Sequence, residues 1–308
     1  MFFEGSEKKI KVRMSAQAPS LRQFERFFWE QILSHAGANI LSQISNDNCD
    51  AYLLSESSLF VWDKQFLMLT CGDSTLIESL LHFIEQVDED AIIQLHYHRK
   101  SEFIPYLQRH HFMDDLKRIN QKVTGSAFRV GHLDSHHQYV FCANNGSSEP
   151  QLRGCELVMY HIRGEFADYL LSEHPSAEGI RSRLGLEQSF PHFVFDDHCF
   201  SPFGYSVNGI YADQYVTIHI TPQAQSSYVS LETNLKITAE YPAVLSGFLS
   251  MFSPLKWDVM TLNNPLPDSP WDDAFCSLQS QLPLSETERL FFYQYQQNNT
   301  EVLIPYAL

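Results

Sequence analysis

Positive charge is scarce in this chain. Only 21 lysines and arginines face 37 aspartates and glutamates across 308 residues, a formal net charge of −16. Such a balance repels phosphate backbones and anionic lipid, which argues against nucleic acid or a membrane as partner and favours a small cationic ligand. Long apolar runs are also missing: nothing approaches the ~18 residues of a membrane span, and the start, M-F-F-E-G-S-E-K-K, lacks the apolar core of a secretory signal. The six cysteines (Cys49, Cys71, Cys142, Cys155, Cys199 and Cys276) form no C-x-x-C pair. Reduced thiols in a cytoplasmic protein are the expectation. There is no Gly-rich phosphate loop. The histidine pairs at 110–111 and 136–137, and His96 with His98, lack the helical spacing and third ligand of a zinc site, so no metal is expected.

Apolar residues, in contrast, are plentiful: 44% of the chain, with 13% aromatic. That is enough for a sizeable core. Ser20 with Gln23 makes a capping box, and Leu21, Phe24, Phe28 and Ile32 recur at helical spacing up to Gly37, so the spacing predicts a helix over 20–37. Strand-like runs follow at 38–45, 51–62 and 65–71, then a helix over 74–87, a strand over 91–98 and a helix over 111–122. Strands are expected at 127–133, 137–143 and 155–163, and an exposed loop at 144–153. The second part repeats the order: a helix at 164–172, a loop through Gly179-Ile180-Arg181, and strands near 192–197, 203–211, 214–221 and 226–233. A helix at 242–252, a strand at 256–262, a helix at 270–281 and strands at 288–295 and 301–305 close the chain. Strands joined by short turns and grouped helices indicate an α+β fold with antiparallel sheets. No linker separates the parts, so residues 1–308 read as one domain of two similar halves, about 1–163 and 164–308.

Residues 52–60 read Y-L-L-S-E-S-S-L-F, a Glu-Ser-Ser step between two apolar runs. Three other segments accompany it: F-F-E-G-S-E-K at 2–8, L-T-C-G at 69–72, and F-G-Y-S-V-N-G with T-I-H-I-T-P between 203 and 222. Together, from Phe2 to about Asn234, these resemble the S-adenosylmethionine decarboxylases of the eukaryotic type, pyruvoyl enzymes of polyamine and spermidine synthesis. The resemblance implies a four-layer αββα sandwich of two antiparallel sheets with outer helices. It also implies self-cleavage: Ser57 attacks the Glu56 carbonyl, an ester forms, and elimination splits a 1–56 β chain from a 57–308 α chain. The new N-terminus is a pyruvoyl group, whose ketone forms a Schiff base with the substrate amine and serves as electron sink without pyridoxal phosphate.

By the same resemblance, His219 removes the Ser57 α-proton, Ser206 supports the processing intermediate and Cys71 is the general acid of decarboxylation. Glu4 and Glu7 belong to the acidic active-site motif, Phe3 and Phe200 sandwich the adenine, and Glu56 lies at the substrate. On an alternating strand, Thr217, His219 and Thr221 share the face away from Ile218 and Ile220, which suits a polar site between the sheets.

Two positions depart from the family pattern. Where it has a glutamate accepting hydrogen bonds from the ribose, this chain has Gln223, an amide that loses the charge-assisted bonds. Around the diamine activator's acidic site, Glu156 and Glu232 are kept, but Lys11, Leu69 and Leu152 replace other members. With Arg99, the added positive charge resembles the plant branch and predicts no putrescine activation. Gln223 motivates an alternative, decarboxylation of ornithine or arginine on the same scaffold. A non-catalytic regulatory paralogue is a further alternative, opposed by the joint presence of Glu56, Ser57, Cys71, Ser206 and His219. A homodimer is left open.

Overall fold

The computed structural model describes residues 3–145, 153–172, 175–224, 226–237, 241–267 and 270–298. Leu152, most of the loop expected at 144–153 and the strand expected at 301–305 lie outside them. The described residues form two eight-stranded antiparallel sheets. In the first, the order is β2 (Ile40–Ser45), β3 (Cys49–Leu54), β4 (Ser57–Trp62), β5 (Gln65–Thr70), β1 (Lys8–Met14), β6 (Ile92–Lys100), β8 (Gln138–Asn144) and β7 (Ser126–Val130). In the second it is β10 (Val194–Cys199), β11 (Tyr205–Tyr211), β12 (Gln214–Thr221), β13 (Tyr228–Thr233), β9 (Gly154–Tyr160), β14 (Lys256–Leu262), β16 (Arg289–Gln297) and β15 (Ala274–Pro283). Each strand of the first sheet has its counterpart eight strands later, so the duplication is present in the topology. Since β9 already belongs to the second sheet, the strands divide before Gly154 and not at 163.

Period-2 alternation sorts each strand between a helix layer and the facing sheet. On the first sheet Val12, Leu59, Val61 and Tyr97 pack with residues of α1 (Arg26–Ala36), α2 (Leu76–Gln86) and α3 (Phe112–Ile119). On the second, Leu157, Val207, Ile218 and Leu231 pack with α4 (Glu165–Leu170), α5 (Ala177–Leu184), α6 (Leu186–Ser189) and α7 (Pro242–Phe252). Two apolar clusters among the described residues join strands of both sheets across the gap between them. One joins Phe60, Trp62, Leu67 and Leu69 to Ile210 and Tyr215; the other joins Val140 and Cys142 to Met260, Leu282 and Phe292. Full burial of such side chains contributes about 1.5–3 kcal/mol each. The result is the four-layer αββα sandwich, with a polar strip left between its two apolar clusters. No helix among the described residues is long and apolar enough to cross a membrane.

Three local expectations differ. Ser20 caps only a single 3-10 turn, Leu21–Gln23, its hydroxyl accepting from Arg22 N–H; Arg22 is then held by Asp50 and the carbonyls of Asn46 and Asp47, and the α-helix starts at Arg26. Gly179-Ile180-Arg181 is inside α5, because Ser176 Oγ accepts from Gly179 N–H and so caps a helix there. Residues 274–283 form strand β15 and not a helix. Leu278 and Leu282 are four apart, a spacing that puts two residues on one face of a strand as well as of a helix, and pairing with β16 decides for the strand.

Candidate active site

The run 51–62 is broken at Ser55-Glu56, between β3 and β4. Alternation places Leu59 and Val61 toward the helices, and Ser58 and Phe60 toward the second sheet. Ser57 would therefore face the helices. Its φ of 153° breaks the rule, and Ser57 and Ser58 both reach the same ring on β12. Ser57 Oγ lies 3.1 Å and Ser58 Oγ 3.0 Å from His219 Nε2. A non-glycine residue in this region costs on the order of 1–3 kcal/mol and persists only where the surroundings impose it. The Glu56 carbonyl, one bond away, accepts from Cys71 N–H at 3.0 Å and from the Cys71 thiol at 3.0 Å. Burial, then Glu56 and Glu7, push that thiol well above its ordinary range, so it carries its proton. Burial, then Asp73, raise the Glu56 carboxyl to about 6.

His219 Nδ1 faces Glu7 Oε1 at 2.7 Å. Glu7 also accepts from Ser230 Oγ at 2.7 Å, Tyr228 OH at 2.9 Å and Lys100 Nζ at 3.0 Å. Burial alone would raise its pKa, but Lys100 and the hydrogen bonds from His219 and Ser230 outweigh it and hold Glu7 well below the carboxylate range. Ser206 pairs across from His219 in the β11–β12 register, so both side chains emerge on one face. Phe3, Glu4, Glu56 and Gly72 meet beside this group: Gly72 donates to the Glu4 carbonyl at 2.7 Å, and a methyl at Gly72 would come within 3.2 Å of the Phe3 ring and 3.3 Å of Glu56 Oε2.

The structure gives some expected site residues other tasks. Glu4 uses its carboxylate to accept from the backbone N–H groups of Ser6, Phe103 and Ile104. Gln223 accepts from Phe3 N–H at 2.8 Å and donates to the Phe3 carbonyl at 2.5 Å. A carboxylate could make only the first of these bonds, which is a physical reason for an amide at 223. Phe200 directly follows β10, with its ring against His198, at the same sheet end as Gln223 beyond β12. Arg99 does not enter the space between the sheets. On β6, His96, His98 and Lys100 face the second sheet, whereas Arg99 turns to the helices and pairs with Asp115 and Glu102. The cation that bridges Glu156 and Glu232 is instead Lys9, at 3.0 and 2.9 Å. Lys100 also pairs with Glu156. Lys11 lies one alternation further, its pKa lowered to about 8 mainly by burial. Sequence reasoning placed Thr217 on the right face but missed Ser58, Asn208, Tyr228, Ser230, Lys9 and Lys100. The period-2 alternation around His219, Glu7 and Glu232 was the available signal.

A cleft of about 740 Å³ opens nearby between β6, β8, β14 and β16, lined among others by Phe103, His136, Asp258 and Gln294. Phe103, Tyr160 and Tyr228 are in ring contact in that order, and Tyr228 reaches Glu7, so the cleft adjoins the Ser57 site without containing it. No group of three or more His, Cys, Asp or Glu among the described residues is placed to hold a metal ion.

A family model described as adenosylmethionine decarboxylase matches residues 1–307. The chain belongs to that family. An S-adenosylmethionine decarboxylase proenzyme of Xenopus laevis is 33% identical over 275 residues, spanning 83% of this chain and 82% of that protein. A protein of the same name from Dictyostelium discoideum is 31% identical over 276 residues, 82% of this chain and 72% of the relative. A crystal structure titled Trypanosoma brucei AdoMetDC-delta26 monomer superposes with a TM-score of 0.62 at 20% identity, covering 78% of this chain and 99% of the other. That likeness supports the sandwich fold of the family.

Proposed function

We propose that this chain cuts itself between Glu56 and Ser57 and, once processed, decarboxylates S-adenosylmethionine to an aminopropyl donor. The observation that carries the reading is the convergence on one peptide bond. Ser57 Oγ stands by a histidine backed by an ionised glutamate, and the carbonyl it must attack is held by Cys71 N–H and S–H. Attack by Ser57 Oγ breaks the Glu56–Ser57 amide and leaves an ester and a free amine. Two hydrogen bonds on the Glu56 carbonyl favour the charge that develops on its oxygen. His219 then takes the Ser57 α-proton; the Cβ–O bond breaks, Glu56 leaves as a carboxylate, and hydrolysis of the resulting enamine releases ammonia. Cleavage also removes the φ constraint at Ser57, since an N-terminal residue has none.

A pyruvoyl carbonyl at position 57 would supply the electron sink for loss of carbon dioxide, and the residues present fit it: Ser57 is the precursor, and the protonated Cys71 thiol lies one hydrogen bond from the scissile carbonyl. Cys71 returns the proton to the substrate carbon. Phe3 and Phe200 take the adenine, their ring faces suiting a neighbouring sulfonium. Glu7, Ser206 and His219 hold the polar side of the site, and Gln223 and Glu4 fix the segment that bears Phe3. Family and relatives favour this substrate over ornithine or arginine.

Intact-mass analysis of the purified protein should show chains 1–56 and 57–308, the larger blocked to Edman degradation, and Ser57→Ala should remain one inactive chain. Labelled carbon dioxide should be released from S-adenosylmethionine and not from ornithine or arginine. An active, uncut 308-residue chain would refute the reading.

A further inference from the structure

Asn208, on β11, is fully buried and takes no part in the chemistry above. Its Nδ2 donates to the Tyr52 carbonyl at 3.0 Å. A carbonyl only accepts, so the amide's orientation is determined and Oδ1 points the other way. There it accepts from Ser58 Oγ at 2.6 Å and from Thr217 Oγ1 at 2.9 Å. Each hydroxyl has one proton, and the bonds to Asn208 are shorter than the 3.2 Å contact between Ser58 Oγ and Thr217 Oγ1 that competes for them, so Asn208 takes both. The same two oxygens lie 3.0 and 3.1 Å from His219 Nε2, so they present lone pairs to the ring and not hydrogens. On the opposite side the ionised Glu7 requires a hydrogen on Nδ1. In the neutral ring Nε2 is then the acceptor, and the donor left to it is the Ser57 hydroxyl at 3.1 Å.

We infer that Asn208 is a positioning residue for self-cleavage: it turns the protons of Ser58 and Thr217 away from His219 and so leaves Nε2 open to Ser57. The inference rests on the proposed self-cleavage. In the elimination step the proton passes from Ser57 Cα to Nε2, its electron pair forms the Cα=Cβ bond, and the pair of the breaking Cβ–O bond leaves on the Glu56 carboxylate. Without Asn208 the hydroxyls of Ser58 and Thr217 are free to donate to Nε2 and occupy the lone pair that this step needs.

The test follows processing of the full chain over time, with hydroxylamine to reveal ester. Asn208→Ala should slow elimination on the order of tenfold to hundredfold, within the range of a general base made less effective, and should accumulate a species that hydroxylamine splits after residue 56. Asn208→Asp keeps an acceptor for both hydroxyls and, protonated, a donor for Tyr52, so it should process at close to the wild-type rate. The double variant Ser58→Ala with Thr217→Val removes the competing donors and should also pass through elimination; it serves if the alanine variant fails to fold. Wild-type processing by Asn208→Ala, a stall before the ester, a stall in Asn208→Asp, or an ester trapped in the double variant would each overturn the inference. A wild-type chain that is never cut would instead remove the proposed self-cleavage itself.

Discussion

The two sheets have the same strand order and different jobs. The hairpin between β11 and β12 is tight: Tyr211 pairs with Gln214, and Ala212 takes up the turn at φ 52°. Its counterpart between β3 and β4 is wider. Leu53 pairs with Ser58, and the unusual backbone falls on Ser57, the residue beside the proposed cut. Acids differ as well. Glu156 and Glu232 of the second sheet are bridged by Lys9 of the first. Asp258, also on the second sheet and buried, is bonded among the described residues to neutral Tyr160 and Gln294, and burial raises it to about 7. Duplication thus supplies a frame, and the proposed reactive group forms where one copy lends a side chain to the other.

The largest effect should come from withdrawing the proposed base that the second sheet lends to the first. His219→Ala should slow conversion of ester to free chains by about 10²–10⁴-fold, the usual contribution of a general base, with hydroxylamine splitting the stalled protein. Processing at the normal rate would leave His219 a structural residue. Reversing the loan is next. Lys9→Ala leaves Glu156 and Glu232 short of a cation and should destabilise the fold by about 3–5 kcal/mol, as breaking a buried pair does. Millimolar putrescine should recover part of that loss in a thermal melt, while wild-type turnover should not respond to putrescine.

Asp258 sharpens the contrast through pH. Its folded pKa lies above the unfolded one, so the native state binds the proton more tightly. Stability therefore falls as pH rises from about 4 to about 7 and is level beyond. Asp258→Asn should remove that fall. The variant should gain on the wild type across this window, by up to about 4 kcal/mol above pH 7 at ~1.4 kcal/mol per pKa unit, measured by denaturant melts at pH 5 and pH 8. An equal difference at both pH values would contradict the raised pKa. The smallest effect concerns the N-terminal segment. Gln223→Glu loses its donor to the Phe3 carbonyl, a bond worth ~0.5–1.5 kcal/mol, and should raise KM for S-adenosylmethionine by roughly two- to tenfold at similar kcat. A lower KM would favour a direct hydrogen bond donated by the ribose to the side chain at 223.

Much of this was legible in one dimension because it depends on local rules. Alternation at Thr217, Ile218 and His219 sufficed to turn the histidine into the space between the sheets, and the short turns announced antiparallel strands. The four motifs carried the family and with it the layer order. Other features needed the fold. Residues 274–283 carry apolar spacing that suits strand or helix, and only pairing with β16 chose. Lys9, Lys11 and Arg99 are interchangeable as charges in a sequence. Register and strand face made Lys9 the bridging cation and sent Arg99 to the helix layer. Gln223 reads as a weakened ribose ligand until its amide is seen on both backbone groups of Phe3. The residue types, their periodicity and the motif at Ser57 belong to the sequence alone. Which proton faces which lone pair around His219 was decided by tertiary structure, because those partners come from the segment before β1 and from β4, β11, β12 and β13, and nothing local ties them together.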